Sequence, residues 1–130
     1  MGQFYDEYHE SFEFKFVDPS DLAPIERKVF GKTDRILDLM GGRPRKIKEI
    51  KISETMRKEL GTFIERNGVW EESTGRVIIR RSQLRNIEEY AGTLLHEVAH
   101  ATSGMSDVTR EFEDELTRLL GIISSRALGL

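Results

Sequence analysis

The fold is read from Asn86-Ile87-Glu88-Glu89-Tyr90-Ala91-Gly92-Thr93-Leu94-Leu95-His96-Glu97-Val98-Ala99-His100-Ala101-Thr102-Ser103-Gly104. Ile87, Tyr90, Ala91, Leu94, Leu95, Val98 and Ala99 recur at steps of three and four, the spacing that lines one face of an α-helix. Asn86 with Glu89 three residues later has the form of a capping box, and Ser103-Gly104 supplies a stop. The spacing therefore predicts one long amphipathic helix. Within it His96 and His100 stand one turn apart and roughly 40° from each other around the axis, so both imidazoles can reach a single ion. Glu97 points elsewhere on the helix and can meet a water beside that ion, the position a general base needs. The competing reading makes the rings partly buried polar residues at a core edge. Beside Leu94, Leu95 and Val98, however, two His and a Glu are costly to desolvate without a partner.

Working outward, Asp107 is positioned to cap a last helix whose core face is Val108, Phe112, Leu116, Leu119 and Ile123. On the other side, Val69-Trp70 and Arg76 to Arg80 flank the turn-rich Glu71-Glu72-Ser73-Thr74-Gly75, which predicts a β-hairpin. Ile47, Ile50 and Ile52 predict a short strand, followed by a helix capped by Ser53, running through Leu60 and Ile64 to Asn67-Gly68. Phe12, Phe14 and Phe16 alternate as in a half-buried strand that ends at Asp18-Pro19. Asp21 then offers an N-cap for one or two helices through Leu22, Ile25, Val29, Ile36 and Leu39, broken near Gly31 and closed by Gly41-Gly42. The expected fold is α+β: a polar arm over 1–11, then a single small domain over 12–130. That domain has a short mixed sheet, the helix bearing the histidines and a following C-terminal helix.

Length and composition bound the chemistry. The 130 residues include 20 Lys+Arg and 23 Asp+Glu, a formal charge of −3, so the overall basic excess expected of a nucleic-acid or membrane-surface binder is missing. The run Arg43-Pro44-Arg45-Lys46-Ile47-Lys48 is basic but has no interleaved aromatics, and it reads as a solvated strand edge. With Cys at zero there is no thiolate site and no disulfide framework, which fits a reducing compartment. Any metal must then be held by His and carboxylates, and two imidazoles with one carboxylate fit Zn²⁺ best. Residues 1–10 carry no apolar run of the signal-peptide kind and no stretch has the length of a membrane span, so the expected location is the cytoplasm.

His96-Glu97-Val98-Ala99-His100 resembles the His-Glu-x-x-His motif of the zincin metallopeptidases. The resemblance implies a zincin-like domain in which His96, His100 and a third protein ligand hold Zn²⁺. It also implies that Glu97 activates a water to attack a peptide carbonyl, and that the substrate is a peptide or protein. A metzincin would place a Gly and a His or Asp three and six positions after the second His. Here Gly104 and Asp107 each arrive one position late. The glutamate-zincin arrangement takes its third ligand from the next helix, and Glu113 with Thr117 four residues later fits it, although the spacing from His100 is short. Glu113 is ranked first, with Glu111, Asp107 and Glu115 left open. Arg110 and Tyr90 are nearby candidates for oxyanion stabilisation, each with an ordinary structural role as the stronger reading. Zincins bind extended substrate along an edge strand, a role for which Arg76 to Arg80 lies in the right chain order.

More loosely, Ser53 to Leu120 is similar to the C-terminal part of bacterial proteins with an Hsp90-like or histidine-kinase-like ATP-binding module, though no nucleotide-binding Gly-rich loop is visible. That likeness implies the alternative: a metal-stabilised, non-catalytic interaction or regulatory module of a larger ATPase-containing protein.

Overall fold

The computed structural model of the chain describes residues 13–56, 66–105 and 109–130. Its elements in chain order are a 3-10 turn Pro19–Asp21, helices α1 (Pro24–Phe30) and α2 (Thr33–Leu39), strands β1 (Glu49–Ser53), β2 (Gly68–Glu71) and β3 (Arg76–Arg80), a second 3-10 turn Arg81–Arg85, and helices α3 (Ile87–Ser103) and α4 (Arg110–Leu128). The expected α+β class and short mixed sheet are both present. The arm over 1–11, Phe12, most of the helix expected after Ser53, and the Asp107 cap with Val108 lie outside the described residues.

The sheet has the order β1-β3-β2, with β1 parallel and β2 antiparallel to β3. Val77, Ile78 and Ile79 of β3 are all fully buried, as a central strand covered on both faces requires. The predicted hairpin is therefore correct, but Arg76 to Arg80 is the middle strand and not an edge. Its backbone groups are used on both sides, and among the described residues β2 is the strand with an open edge. The outer side of β1 is met by the chain before it: Val17 N–H donates to Ile52 C=O (2.9 Å) and Glu54 N–H to Lys15 C=O (2.9 Å). The alternation at Phe14 and Phe16 survives as extended backbone with the two rings stacked 5.7 Å apart, yet pairing is limited to one bridge between Phe16 and Ser53. Phe16 lies under the cations of Lys51 and Arg76, at 5.3 and 5.2 Å from the ring centre.

The helices before β1 are two, broken at Gly31 as expected. Asp21 is not their cap. Asp18 accepts from Ser20 N–H (2.9 Å) at the 3-10 turn, and Glu26 accepts from Ala23 N–H (2.8 Å) at the start of α1. Glu26 also takes a two-pronged pair from Arg81 (both 2.9 Å), which reaches Glu54 with its third nitrogen and so ties α1 to the ends of β1 and β3. Ser53 closes β1 instead of opening a helix by itself; its hydroxyl accepts from Lys15 N–H (3.1 Å) and Thr55 N–H (3.2 Å).

The core lies between the sheet face carrying Ile52, Val77 and Ile79 and the inner sides of α3 and α4, with α1 and α2 closing one end. Tyr90 of α3 is fully buried there, its ring set edge-on to Phe30. The Thr33 hydroxyl donates to Phe30 C=O (2.5 Å), so its one hydrogen is spent and the Tyr90 O–H must donate to Thr33 Oγ1 (2.6 Å). Burial pushes the Tyr90 phenol well above its ordinary pKa, and the hydroxyl stays protonated. Tyr90 is thus a core residue and not an oxyanion donor. Tyr90→Phe leaves Thr33 bonded to Phe30 and removes one hydrogen bond, for an expected loss of about 1 kcal/mol. The difference in urea unfolding between the two proteins measures it.

Candidate functional site

Helix α3 forms as the sequence predicts. Asn86 accepts from Glu89 N–H (2.9 Å) at its start, and Gly104, left-handed at φ 70°, ends it by donating to His100 C=O (3.0 Å). Only half of the expected capping box is used, because the Glu89 carboxylate turns to Arg85 (2.6 Å to Nη2). The helix carries His96, Glu97 and His100 to the wall of a cavity of about 830 Å³, whose other wall is β2 and the residues before it, Arg66 to Trp70.

The imidazoles of His96 and His100 lie 4.9 Å apart between ring centres, at 78° to each other. Both rest on Phe112 of α4, which stacks on His100 at 4.4 Å and meets His96 edge-on at 5.1 Å. A further contact sets the tautomer of His100. Its Nδ1 is 2.7 Å from Met105 C=O, and since a carbonyl only accepts, Nδ1 carries the hydrogen of that bond. Metal-binding imidazoles use this arrangement, one nitrogen anchored by a carbonyl and the other presented to the ion.

Glu97 is buried, 6% exposed, on the side of α3 that faces the sheet. It packs against Gly68, the first residue of β2, where a Cβ would stand 3.2 Å from Glu97 Cγ and 2.9 Å from Thr93 Cγ2. Thr93 in turn donates to the buried Gln83 (2.8 Å). The strand and the helix therefore approach so closely at Gly68 that a side chain there has to displace Glu97 or Thr93. Gly68→Ala is expected to cost about 1–3 kcal/mol, read as a lowered unfolding midpoint.

No third ligand is assembled: among the described residues, no group of three His, Asp or Glu side chains is placed to hold an ion. Glu111 and Glu113 are exposed on α4, Thr117 is exposed as well, and Asp107 lies outside the described residues. The sequence reading expected α4 to bring a carboxylate to the histidines, and the residue that touches them is Phe112. Its place on the apolar face gave it a core role in advance, but not contact with both rings. The helix cap is also different from expectation, since Thr109 accepts from Phe112 N–H (3.1 Å). Arg110 is exposed and does not line the cavity. Gly68 and Trp70 are both in the cavity wall; in the sequence Gly68 reads as a helix stop and Trp70 as part of the hairpin, and nothing local marks either as part of a site.

Glu115 is committed elsewhere. It accepts from the Thr102 hydroxyl of α3 and from Arg118 Nε (2.7 Å) and Nη2 (3.0 Å). The bonds from Arg118 hold its carboxyl below the ordinary value near 4.5; burial opposes this and Thr102 assists it. A depressed pKa in the folded state adds stability that is present above the ordinary carboxylate range and is lost as pH falls through the depressed value. Glu115→Gln is therefore expected to unfold at lower urea than the parent at pH 7. The gap should close as the pH drops below about 4. Urea titrations at both pH values check this.

Among the described residues, no helix is long and apolar enough to cross a membrane. Comparison of the chain with protein-family models, with curated proteins and with solved structures finds no match.

Proposed function

We propose that the chain is a zinc-dependent peptidase of the zincin type. What supports the reading is the pairing of His96 and His100 on one cavity wall, 4.9 Å apart, with the buried Glu97 between them in sequence and a carbonyl orienting His100. The donor set fits zinc: nitrogen ligands, no thiolate, and carboxylates available on the next helix. His96 and His100 are two of the ligands. Glu113 is the third by the glutamate-zincin spacing with Thr117; it is exposed on α4 and has to turn toward the rings when the metal binds, whereas Glu115 is tied to Thr102 and Arg118. Zinc, when bound, supplies the Lewis acidity that makes water nucleophilic near neutral pH.

The residues of the chain do the rest. Glu97 accepts the proton of the attacking water and passes it to the leaving amine. Its place against Gly68 keeps the carboxylate beside β2, along which an extended peptide backbone can pair. Phe112 holds both rings, and the Met105 carbonyl holds the His100 tautomer, so little rotamer freedom is lost on binding.

The test combines metal content with turnover. Purified protein is expected to carry one zinc per chain, to lose it in His96→Ala and Glu113→Ala, and to keep it in Glu111→Ala. Glu97→Gln is expected to retain zinc and lose at least about a hundredfold in peptide cleavage, the lower end of a general base's contribution. Substoichiometric zinc in the parent, or cleavage that survives Glu97→Gln, overturns the reading. Stoichiometric zinc that raises the melting temperature without cleavage of any peptide in a proteome-derived library favours the non-catalytic module instead.

A further inference from the structure

A second, shallower depression of about 420 Å³ lies at the turn end of the hairpin, walled by Lys46, Lys48 and Ser73 to Gly75. Trp70 and Glu72 line it and also line the cavity of the histidines, so the two depressions adjoin across these side chains. The imidazoles stand at one end and two lysines at the other.

The lysine end is built, not incidental. Ile47 between them is buried in the core, and this turns its neighbours Lys46 and Lys48 outward on either side. The segment is fixed to the hairpin turn, with Lys48 N–H donating to Gly75 C=O (2.7 Å). Gly75 has φ 70°, and a Cβ on it would lie 2.8 Å from Lys46 C=O and 3.0 Å from Lys48 Cγ, so the basic strand edge and the turn are in contact with no room between. Arg43 spans the same segment by donating to Lys48 C=O (3.3 Å).

The charge at the lysine end reverses that of the chain. Net charge is −3 overall. Among the described residues no ion pair engages Lys46 or Lys48, and Glu72 is the one carboxylate in the lining of their depression. Arg66 adds a third cation on the wall of the first cavity.

We propose that the two depressions act as one groove that selects acidic peptide segments: carboxylate side chains of the substrate meet Lys46 and Lys48, its backbone crosses Trp70, and the bond to be cut lies at the histidine end. The assignment of a cut bond rests on the peptidase reading above; the acidic preference of the groove does not. A polynucleotide fits less well, since its charge repeats at every residue and would meet Glu72 in the middle of the groove and Glu97 at its end. A peptide can place neutral residues there and acids only at the lysines.

Binding of a fluorescein-labelled peptide with a Glu-rich half and a neutral half, followed by anisotropy with and without zinc, tests the proposal beside an uncharged Gly-Ser peptide of equal length. The Glu-rich peptide is expected to bind about tenfold more tightly, the sum of two exposed ion pairs within their usual range of strength. That advantage should disappear in Lys46→Glu/Lys48→Glu and at 1 M salt, where screening confines charge–charge attraction to about 3 Å. Lys32→Glu, a charge reversal outside the groove, is expected to leave it intact, and circular dichroism establishes that the variants fold. Equal binding of the two peptides, an advantage that survives the double reversal, or displacement of the peptide by equimolar single-stranded oligonucleotide overturns the proposal. Sequencing the products from a proteome-derived peptide library separates the two readings. Cleavage without enrichment of Asp or Glu on one side of the cut sinks the acidic groove and leaves the peptidase. Selective acidic binding with no cleavage sinks the peptidase and leaves the groove.

Discussion

The approach of α3 to β2 is limited by Gly68, and most of the molecule follows from that contact. A strand and a helix pack this closely only where one of them has no side chain, and at Gly68 the Cβ position is already occupied by Thr93 and Glu97. The contact brings the carboxylate of Glu97 under the strand, sets the spacing of the two cavity walls, and leaves Val77 and Ile79 of the neighbouring strand sealed against the inner face of α3. Burying a carboxylate costs free energy unless polar groups or an ion compensate it, and Glu97 is buried at the helix–sheet junction.

The second constraint comes from α4. Phe112 supplies an apolar bed for both imidazoles, and Glu115 grips Thr102 one turn further along, so the helix pair is fixed by one aromatic and one polar contact on either side of the histidines. The rings are held from below by packing and, at His100, from the side by a carbonyl. Orientation of this kind is what a metal ligand requires of its surroundings. The acids of α4 are arrayed around Phe112 and not in its place; a carboxylate at that position would lose the packing that orients the two rings.

Much of the architecture was legible from local pattern. The long helix carries its own periodicity, its own cap residue and its own stop, and the hairpin is bracketed by β-branched residues around a turn ending in Gly75. Caps were read less well. Asp21 and Asp107 are good caps by residue type, but Asp18, Glu26 and Thr109 hold the observed helix starts, because several acceptors compete at each boundary and the backbone path chooses among them. The strand beside the site was misassigned for a related reason. Arg76 to Arg80 and Gly68 to Glu71 are both short, and which becomes the centre depends on the partner that β1 selects from far away in the chain.

The sequence by itself determined the class of fold, the helix bearing His96, Glu97 and His100, and the absence of thiolate ligands, because each depends on residues within a few turns or on composition alone. Only the tertiary structure decided that Phe112 lies against both rings, that Gly68 admits Glu97, that β2 has the open edge among the described residues, and that Trp70 lines both the cavity of the histidines and the depression walled by Lys46 and Lys48. Those are meetings of residues distant in the chain, set by how the sheet orders its strands and how the helices settle on it. A periodic pattern records which face of an element is apolar and is silent about which neighbour will cover it.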